Sequence, residues 1–343
     1  SYDFQHCLVD SLENIDYSLC TLEFETRRES YYWLVDQLHL WRAYVWEFGR
    51  LNITNTVMSK RKLKTLVADG AVRGWDDPRM PTIKGLRRRG FTPEGINAFC
   101  AAISASRTTE TTIDWARLEH FARLALDPVA PRAFAVLDPV KVVLTNRPAH
   151  FLEALHAPLF PKDPAKGARE LPYQREVFVD RRDVKAEDEP KFLGLAPGRI
   201  VSLRYADVVH CDEVVCDEKG EVREVRCTVL GEEEKRAALA HKDRKLGSIH
   251  WLAGAKVGEE PRRGEVRLYD HLFTTKNPAA EKDWKKSLNP TSEVVVPNAM
   301  LEASLLGRKA EDHVQFERLG YFCVDKDSRE DHIVYNRTCA LHS

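Results

Sequence analysis

Short strand-like runs separated by turns fill the chain from Ala130-Pro131-Arg132 onward, and they constrain the fold more than any other feature. Runs such as Glu176–Asp180 and Val222–Val229 are rich in β-branched and aromatic residues. The turn sequence Asp217-Glu218-Lys219-Gly220 predicts a hairpin that ends in the second of these runs. Many short strands with turns between them favour β-barrels. Since 343 residues exceed one ordinary core, we expect two or three domains.

The part of the chain before these strands has a helical pattern. Thr82 can cap a helix that Gly90 ends, and Thr112 or Asp114 can begin another, so residues 74–130 read as helical. A further helix is predicted over residues 27–41. Its expected buried face consists of Tyr32, Leu34, Val35, Leu38 and Trp41.

Composition and charge exclude several classes of protein. The net charge of about −1 means that a nucleic-acid partner has to be sought in local patches. The eight cysteines are scattered, and most lie in apolar runs, as reduced thiols of an intracellular protein do. Cys211 and Cys216 have no second ligand pair nearby, so we expect no metal. No apolar run reaches the length of a membrane span, and we expect a cytoplasmic protein without a membrane partner.

A basic stretch, Met58-Ser59-Lys60-Arg61, lies between an extended apolar segment and a helix. On its own, such a charge run more often forms a solvated face than a site. A lysine on a short loop is nevertheless suited to the charge that builds on a triphosphate during nucleotidyl transfer. Two further blocks accompany it, Gly74-Trp75-Asp76-Asp77-Pro78-Arg79 and Gly85-Leu86-Arg87-Arg88-Arg89-Gly90-Phe91. Together the three blocks resemble the glutaminyl and glutamyl subfamily of class I aminoacyl-tRNA synthetases, and nearly the whole chain resembles the glutaminyl-tRNA synthetase family.

This resemblance implies an α/β plus all-β architecture. The chain would hold the end of a Rossmann-type catalytic domain, a helical unit that contacts the tRNA stem, and two β-barrels that bind the anticodon. The expected limits are residues 1–57 for the catalytic part, 58–130 for the lysine loop and helical unit, 131–187 with 258–343 for the proximal barrel, and 188–257 for the distal barrel.

The resemblance also implies an amino-acid site. Tyr2 and His6 match residues that orient the side-chain amide of glutamine, and Cys20 lies beside them. The glutamyl enzymes carry an arginine where Cys20 stands. A γ-carboxylate needs a cation, whereas a buried, unpaired guanidinium facing a neutral amide would be costly. Cys20 therefore favours glutamine over glutamate.

The nucleotide site implied by the family has two parts. Thr21, Arg50 and Leu51 would border the adenosine of ATP, while Met58, Ser59 and Lys60 would border its phosphates. ATP with Mg²⁺ is expected as a substrate, without a protein-bound metal or prosthetic group. Lys60, with Ser59 and Met58, would stabilise the reacting phosphate. Catalysis would therefore rest on orientation and electrostatics, since no side chain here is an obvious general base.

Anticodon reading is expected from the barrels, because unstacked bases are read by planar donors, amides and aromatic walls. Gln315-Phe316-Glu317-Arg318 alternates polar and apolar residues, so Gln315 and Glu317 share a face of the predicted strand. By resemblance, Gln315 and Arg318 contact anticodon bases and Glu317 helps to orient the arginine. Arg132 and Arg204 match further anticodon-contacting arginines.

The expected partners are tRNA(Gln), glutamine and ATP. A glutamyl-tRNA synthetase of the same subfamily and a non-catalytic tRNA-binding module remain as alternatives. The histidine signature of class I enzymes is not found in these residues. We therefore expect a C-terminal fragment that is inactive alone and supplies part of the glutamine and ATP sites. We also expect a monomer, with membership of a multi-synthetase complex left open.

Overall fold

The computed structural model describes residues 1–103, 106, 111–240 and 246–342, and its first part alternates helices with short parallel strands. These elements are α1 (Tyr2–Leu12), β1 (Tyr17–Thr21), α2 (Arg28–Gln37), β2 (Tyr44–Phe48) and β3 (Leu51–Ile53). β1 and β2 pair in parallel, which places Cys20 opposite Glu47. Two parallel strands joined through a helix form the βαβ unit of α/β domains.

α2 is shorter than the helix predicted over residues 27–41. It buries Tyr31 and Val35, whereas Leu38 and Trp41, which the periodicity placed inward, are about half exposed. The helix ends because the next residues turn: His39 has a φ of 52°, and the N–H of Leu40 bonds back to the carbonyl of Val35. Residues beyond this turn no longer share a helical face with those before it.

A mostly helical unit follows. It contains α3 (Lys60–Ala68), α4 (Ile83–Arg89), α5 (Pro93–Ile103), β4 (Thr111–Ile113) and α6 (Trp115–Leu126). The hydroxyl of Thr82 accepts the N–H of Gly85 at 3.0 Å, and Gly90 ends α4 with a φ of 103°, as the sequence predicted. Asp114 caps α6 in the same way. β4 was not expected in this stretch; it pairs in parallel with β3 and ties the unit to the first part of the chain.

The rest of the described chain is mostly strands. They are β5 (Arg132–Ala133), β6 (Ala135–Val136), β7 (Pro139–Leu144), β8 (Leu152–Pro158), β9 (Ala168–Gln174), β10 (Glu176–Asp180), β11 (Ile200–Leu203), β12 (Val208–Cys216), β13 (Val222–Val229), β14 (Gly247–Ile249), β15 (Arg262–Tyr269), β16 (Glu293–Leu301), β17 (His313–Phe316), β18 (Gly320–Val324) and β19 (Val334–Cys339), with α7 (Glu232–Ala240) before β14. β12 and β13 form the predicted hairpin, in which the Asp217 carboxylate accepts the N–H groups of Lys219 and Glu221.

Two of the sheets are nearly closed barrels. The seven-stranded sheet has the order β5-β17-β18-β19-β15-β16-β6, and its two edge strands are consecutive in the chain, separated only by Phe134. The six-stranded sheet has the order β10-β7-β13-β12-β11-β14. Its edges meet through an antiparallel bridge, in which Phe178 and Leu252 exchange backbone hydrogen bonds of 2.7 and 2.9 Å. Closure removes the exposed edges that open sheets carry.

Strand pairing assigns residues 139–144 and 176–180 to the six-stranded sheet. Pairing describes sheets rather than domains, and the predicted domain limits at residues 187 and 258 stay a prediction. No helix in the described ranges is long and apolar enough to cross a membrane. All eight cysteines are free thiols.

Candidate functional site

Tyr2, His6 and Cys20 line one cavity of about 540 Å³, formed where α1, β1, α2 and β2 meet. Tyr2 and His6 are one helical turn apart on α1, and their rings stack with centroids 5.2 Å apart and planes 19° from parallel. Cys20 faces the same cavity from β1. The structure therefore brings the three residues of the predicted amino-acid site together.

Asp10 organises this cavity. Its carboxylate accepts hydrogen bonds from the hydroxyls of Ser18 at 2.7 Å and Tyr31 at 2.9 Å, and it lies 3.2 Å from Nε2 of His6. Burial raises the pKa of Tyr31, and the bond to Asp10 raises it further, so Tyr31 stays a hydrogen-bond donor. The His6 ring is thus held in place from both sides, by Tyr2 and by Asp10.

The cations of this cavity are paired. Arg28 donates two hydrogen bonds to Glu47, one of them 3.1 Å from Nε to Oε1, and the Glu47 side chain is only 1% exposed. Arg27 lies 3.2 Å from Asp3. Burial raises the pKa of Cys20, and the charge of Glu47 adds to the effect, so the thiol is neutral. The described lining offers no unpaired positive charge to a carboxylate, which favours a neutral amide as the bound side chain.

The lysine loop leads into the start of α3. Ser59 is the N-cap residue, without a side-chain capping bond, and Lys60 is the first helical residue. Met58, Ser59 and Lys60 are all exposed, and Lys60 makes no ion pair within the described residues. A helix N-terminus presents unpaired N–H groups and a partial positive charge. This arrangement can receive a phosphate, with Lys60 adding a mobile charge.

Two of the three residues predicted to border the adenosine, Thr21 and Arg50, contact the same carboxylate, that of Glu23. Arg50 donates to the carboxylate of Glu23 at 2.9 Å. A hydrogen bond from the hydroxyl of Thr21 lowers the pKa of the same carboxyl group, and the charge of Arg50 lowers it further. Arg50 and Leu51 line a second cavity of about 600 Å³ between β3 and β4. Thr21 and Arg50 are therefore linked through Glu23, a residue that was not expected at this site from the sequence.

Two of the predicted anticodon residues, Glu317 and Arg204, are in contact where the two barrels pack together. Glu317 is 5% exposed and accepts hydrogen bonds from Arg169 at 2.7 Å, Arg204 at 2.5 Å and the hydroxyl of Tyr205 at 3.1 Å. Arg204 keeps a side-chain exposure of 37%. Glu317 therefore orients Arg204, and none of its described hydrogen bonds involves Arg318, the arginine that it was expected to orient.

Arg318 is oriented by other groups. It donates to both carboxylate oxygens of Asp183, at 2.6 and 2.7 Å, and to Nδ1 of the fully buried His250 at 2.9 Å. Nε2 of His250 donates to the carbonyl of Ala135 at 2.9 Å. Burial lowers the pKa of His250 to about 4, and the charge of Arg318 acts in the same direction, so the ring is neutral.

Arg132 and Gln315 are partners on the parallel strands β5 and β17. The guanidinium of Arg132 is buried, where it donates to the backbone carbonyls of Asp127 at 2.8 Å and Ala130 at 3.0 Å and pairs with the Asp127 carboxylate. Gln315 is half-buried, and its side chain has no hydrogen bond among the described residues. Of the two, Gln315 has the freer polar groups, because those of Arg132 already bind the end of α6.

Comparison with known proteins identifies the family of the domains that contain these sites. Residues 1–128 match the catalytic domain of tRNA synthetases class I (E and Q), and residues 130–230 and 248–325 match anti-codon binding domains of the same group. The chain belongs to the class I tRNA synthetases of the E and Q group. The region matched as catalytic holds both cavities and the start of α3, while Arg204 and Arg318 belong to the two regions matched as anticodon-binding.

Three relatives are similar over 99% of this chain. The chain is 47% identical to the "Probable glutamine--tRNA ligase" of Dictyostelium discoideum and 46% identical to the "Glutamine--tRNA ligase, cytoplasmic" of Arabidopsis thaliana, and it covers 42% of each. It is 45% identical to the "Glutamine--tRNA ligase" of Vibrio vulnificus and covers 60% of it. The chain thus spans about half the length of the curated relatives that it matches.

Several residues that shape these sites were missed in the sequence. Asp10 holds His6 in place, Asp183 and His250 hold Arg318, and Glu47 pairs with Arg28 at the wall of the first cavity, yet none of the four lies in a motif. The one usable signal was a charged residue in an otherwise apolar strand, as with Glu47 in β2. No group of three or more potential metal ligands comes together in the described ranges.

Proposed function

We propose that this chain is part of a glutamine--tRNA ligase, which uses ATP to activate glutamine as glutaminyl-adenylate and transfers it to tRNA(Gln). The observation that carries the proposal is the cavity shared by Tyr2, His6 and Cys20. Its arginines are already paired with carboxylates, so a neutral amide fits it better than a second carboxylate does. The shared name of the relatives supports the same substrate.

In this proposal ATP enters with Mg²⁺ as a substrate. Thr21, Arg50 and Leu51 border its adenosine, and the start of α3 receives its phosphates. Lys60, with Ser59 and Met58, stabilises the charge that builds on the reacting phosphate and the leaving pyrophosphate. The exposure of all three residues at a helix N-terminus supports this assignment.

The junction of the barrels is proposed to read the anticodon. Arg204 and Arg318 are held by buried carboxylates, while each keeps about a third of its side chain exposed for a base or a phosphate. Gln315, on β17 three residues before Arg318, offers an amide for a base edge. Glu317 positions Arg204, and Arg132 acts by fixing the end of α6 next to β5.

The oligomeric state, the cellular compartment and the domain limits of the whole protein are also proposals. We infer a monomer, and a cytoplasmic location like the one that the name of the Arabidopsis relative gives for that protein. The barrels are proposed to act as one anticodon-binding unit, with the domain limits given by the sequence.

Aminoacylation tests the proposal. The protein that carries this chain is given tRNA(Gln), ATP and either labelled glutamine or labelled glutamate. We expect charging with glutamine in strong preference to glutamate. Preferential charging with glutamate would establish the glutamyl alternative instead, and tRNA binding without charging by either amino acid would leave only the binding module.

A further inference from the structure

A cavity of about 650 Å³ lies between the ends of α4 and β15 and the neighbouring faces of α6 and β19. None of the residues assigned above to glutamine, ATP or the anticodon lines it. Its polar lining includes Arg89, Glu119, Asp270, His271 and Arg337. It therefore needs an explanation of its own.

Arg89 is a buried cation with a fixed direction. It is 3% exposed, at the end of α4. Its Nε donates to the carbonyl of Thr338 at 3.1 Å, and its Nη2 reaches the carbonyl of Tyr269 at 3.5 Å. The rings of Trp115 and Tyr269 lie 5.5 and 5.8 Å from the guanidinium carbon. These contacts hold the guanidinium at the cavity without neutralising it.

A second guanidinium, that of Arg337, donates to the same backbone carbonyl as Arg89. Arg337, from β19, donates through Nη2 to the carbonyl of Tyr269 at 3.3 Å, so both arginines use one carbonyl oxygen. No ion pair of Arg337 within 4.0 Å is found among the described residues. Burial lowers the pKa of both guanidiniums, and the charge of Arg337 contributes to lowering that of Arg89.

The carboxylates nearby compensate these charges incompletely. Oε1 of Glu119 lies 3.6 Å from Nη2 of Arg89, beyond hydrogen-bond distance, and accepts the indole N–H of Trp115 at 3.1 Å instead. Its other oxygen is 3.7 Å from Arg123. Asp270 is exposed and forms no described ion pair with either lining arginine. The two lining arginines, with Arg123 close behind, thus have only two carboxylates nearby, the half-buried Glu119 and the exposed Asp270.

We propose that this cavity binds a phosphate-type oxyanion between Arg89 and Arg337. Buried charges in proteins are stabilised by a partner of opposite sign, and here the protein supplies too little of it. Two converging guanidiniums present several N–H donors, which match the oxygens of a phosphate better than they match a single carbonyl. The oxyanion is either a backbone phosphate of bound RNA or a free inorganic phosphate or pyrophosphate.

Calorimetric titration of inorganic phosphate into the 343-residue chain tests this proposal, with ionic strength kept constant by sodium chloride. We expect saturable binding that Arg337→Gln weakens by about tenfold or more, since it removes a charge-assisted hydrogen-bond donor. Arg87→Gln is the matched control. It removes the same charge from the exposed side of α4, where Arg87 pairs with Glu311, and should leave phosphate affinity unchanged.

A variant that is expected to bind phosphate more tightly distinguishes loss of the site from misfolding. Glu119→Gln removes the carboxylate that competes for Arg89 and keeps an acceptor for the indole of Trp115, so it should bind phosphate more tightly than the wild type does. Loss of binding in Arg337→Gln together with a gain in Glu119→Gln supports the site. Equal phosphate affinity in wild type and both variants, or no saturable binding by the wild type, would overturn it.

Adding tRNA(Gln) identifies the source of the oxyanion. If saturating tRNA abolishes phosphate binding and Arg337→Gln lowers the salt dependence of tRNA binding by about one phosphate contact, the site holds an RNA phosphate. If tRNA leaves phosphate binding intact, the site holds a free oxyanion. Either result supports the cavity as an oxyanion site, and neither depends on which amino acid the protein attaches.

Discussion

Arg318 and Asp183 form a two-pronged ion pair that connects the seven-stranded sheet to the six-stranded sheet. Both guanidinium–carboxylate hydrogen bonds are short, at 2.6 and 2.7 Å, and they link the loop after β17 to the turn after β10. Arg318 adopts a φ of 67°, unusual for a residue other than glycine, so its backbone is also set for this direction. An arginine fixed in this way can present its remaining edge to a planar partner at little further cost in side-chain entropy.

Removing the charge of Asp183 should loosen this arrangement. In Asp183→Asn we expect the penalty that a substituted anticodon base imposes on the free energy of tRNA binding to fall by about 1 kcal/mol or more. The reason is that Arg318 would no longer be held in one orientation. The measurement is the dissociation constant for tRNA(Gln) and for tRNA with single anticodon changes. Asp138→Asn, which breaks the more exposed pair with Arg181, is the control. Unchanged discrimination by Asp183→Asn would show that Arg318 does not depend on this carboxylate.

Glu317 should matter to stability as well as to recognition. It is buried and neutralises Arg169, whose side chain is 2% exposed, so Glu317→Gln leaves buried positive charge with less compensation. We expect a loss of about 3 kcal/mol in the free energy of unfolding, measured with urea. Glu213→Gln removes an exposed partner of Arg226 and should cost less than about 1 kcal/mol. Similar losses in the two variants would mean that the buried network contributes little.

The turns and helix ends could be predicted from the sequence because each depends on one or two local residues. Thr82 and Gly90 cap α4 where they were expected to, Asp114 rather than Thr112 caps α6, and Asp217 begins the hairpin. The order of strands in the barrels could not be worked out in this way, because it depends on contacts between distant segments. β5 and β6, for example, lie on opposite edges of one sheet, although only Phe134 separates them.

Because the pKa of His250 is lowered, the stability of the protein should depend on pH. Its pKa is about 4 in the folded protein and about 6.5 in the unfolded chain, so the unfolded state binds more protons between these values. The neutral ring of His250 therefore contributes fully to the free energy of unfolding above about pH 6.5. As the pH falls toward 4 this contribution is lost, and the free energy of unfolding decreases by on the order of 3 kcal/mol. Arg318, Arg182 and Asp183 are the charged groups that act on it.

Urea unfolding of wild type and His250→Gln at several pH values between 4 and 7 measures this effect. An amide supplies one donor and one acceptor in place of the neutral ring, and it does not titrate. The wild type should lose more stability than the variant as the pH falls, whereas His210→Gln, at a half-buried position on β12, should follow the wild type. Parallel curves for wild type and His250→Gln would contradict the assignment of a neutral, buried ring.

Cys20 is the position at which amino-acid choice should be most sensitive. Cys20→Arg would place a cation beside the bound side chain and opposite Glu47 on the neighbouring strand. We expect the ratio of kcat/KM for glutamine to that for glutamate to fall by about tenfold or more, since a buried guanidinium favours a carboxylate and opposes an amide. Cys20→Ser, similar in size and neutral, is the control. An unchanged ratio in Cys20→Arg would mean that other residues select the substrate.

Only the site residues that match a recognisable motif could be predicted from the sequence. Tyr2, His6 and Cys20 are separated in sequence yet meet in one cavity, as the resemblance implied. Asp10 and Asp183 could not be recognised, because a lone aspartate has no pattern and its importance lies in which distant side chains it meets. Glu317 and Arg318 are adjacent in sequence, yet their hydrogen bonds go to different partners, because neighbouring residues just beyond a strand point in different directions.

The central claim is that the barrel junction reads the anticodon of tRNA(Gln), and binding of this chain to that tRNA across a salt series tests it most directly. The tRNA is used unchanged and with each anticodon base replaced. We predict a penalty of about 1–3 kcal/mol for each replacement, at every salt concentration. Binding that weakens with salt but is indifferent to the anticodon would contradict the claim, because only phosphates would then be held.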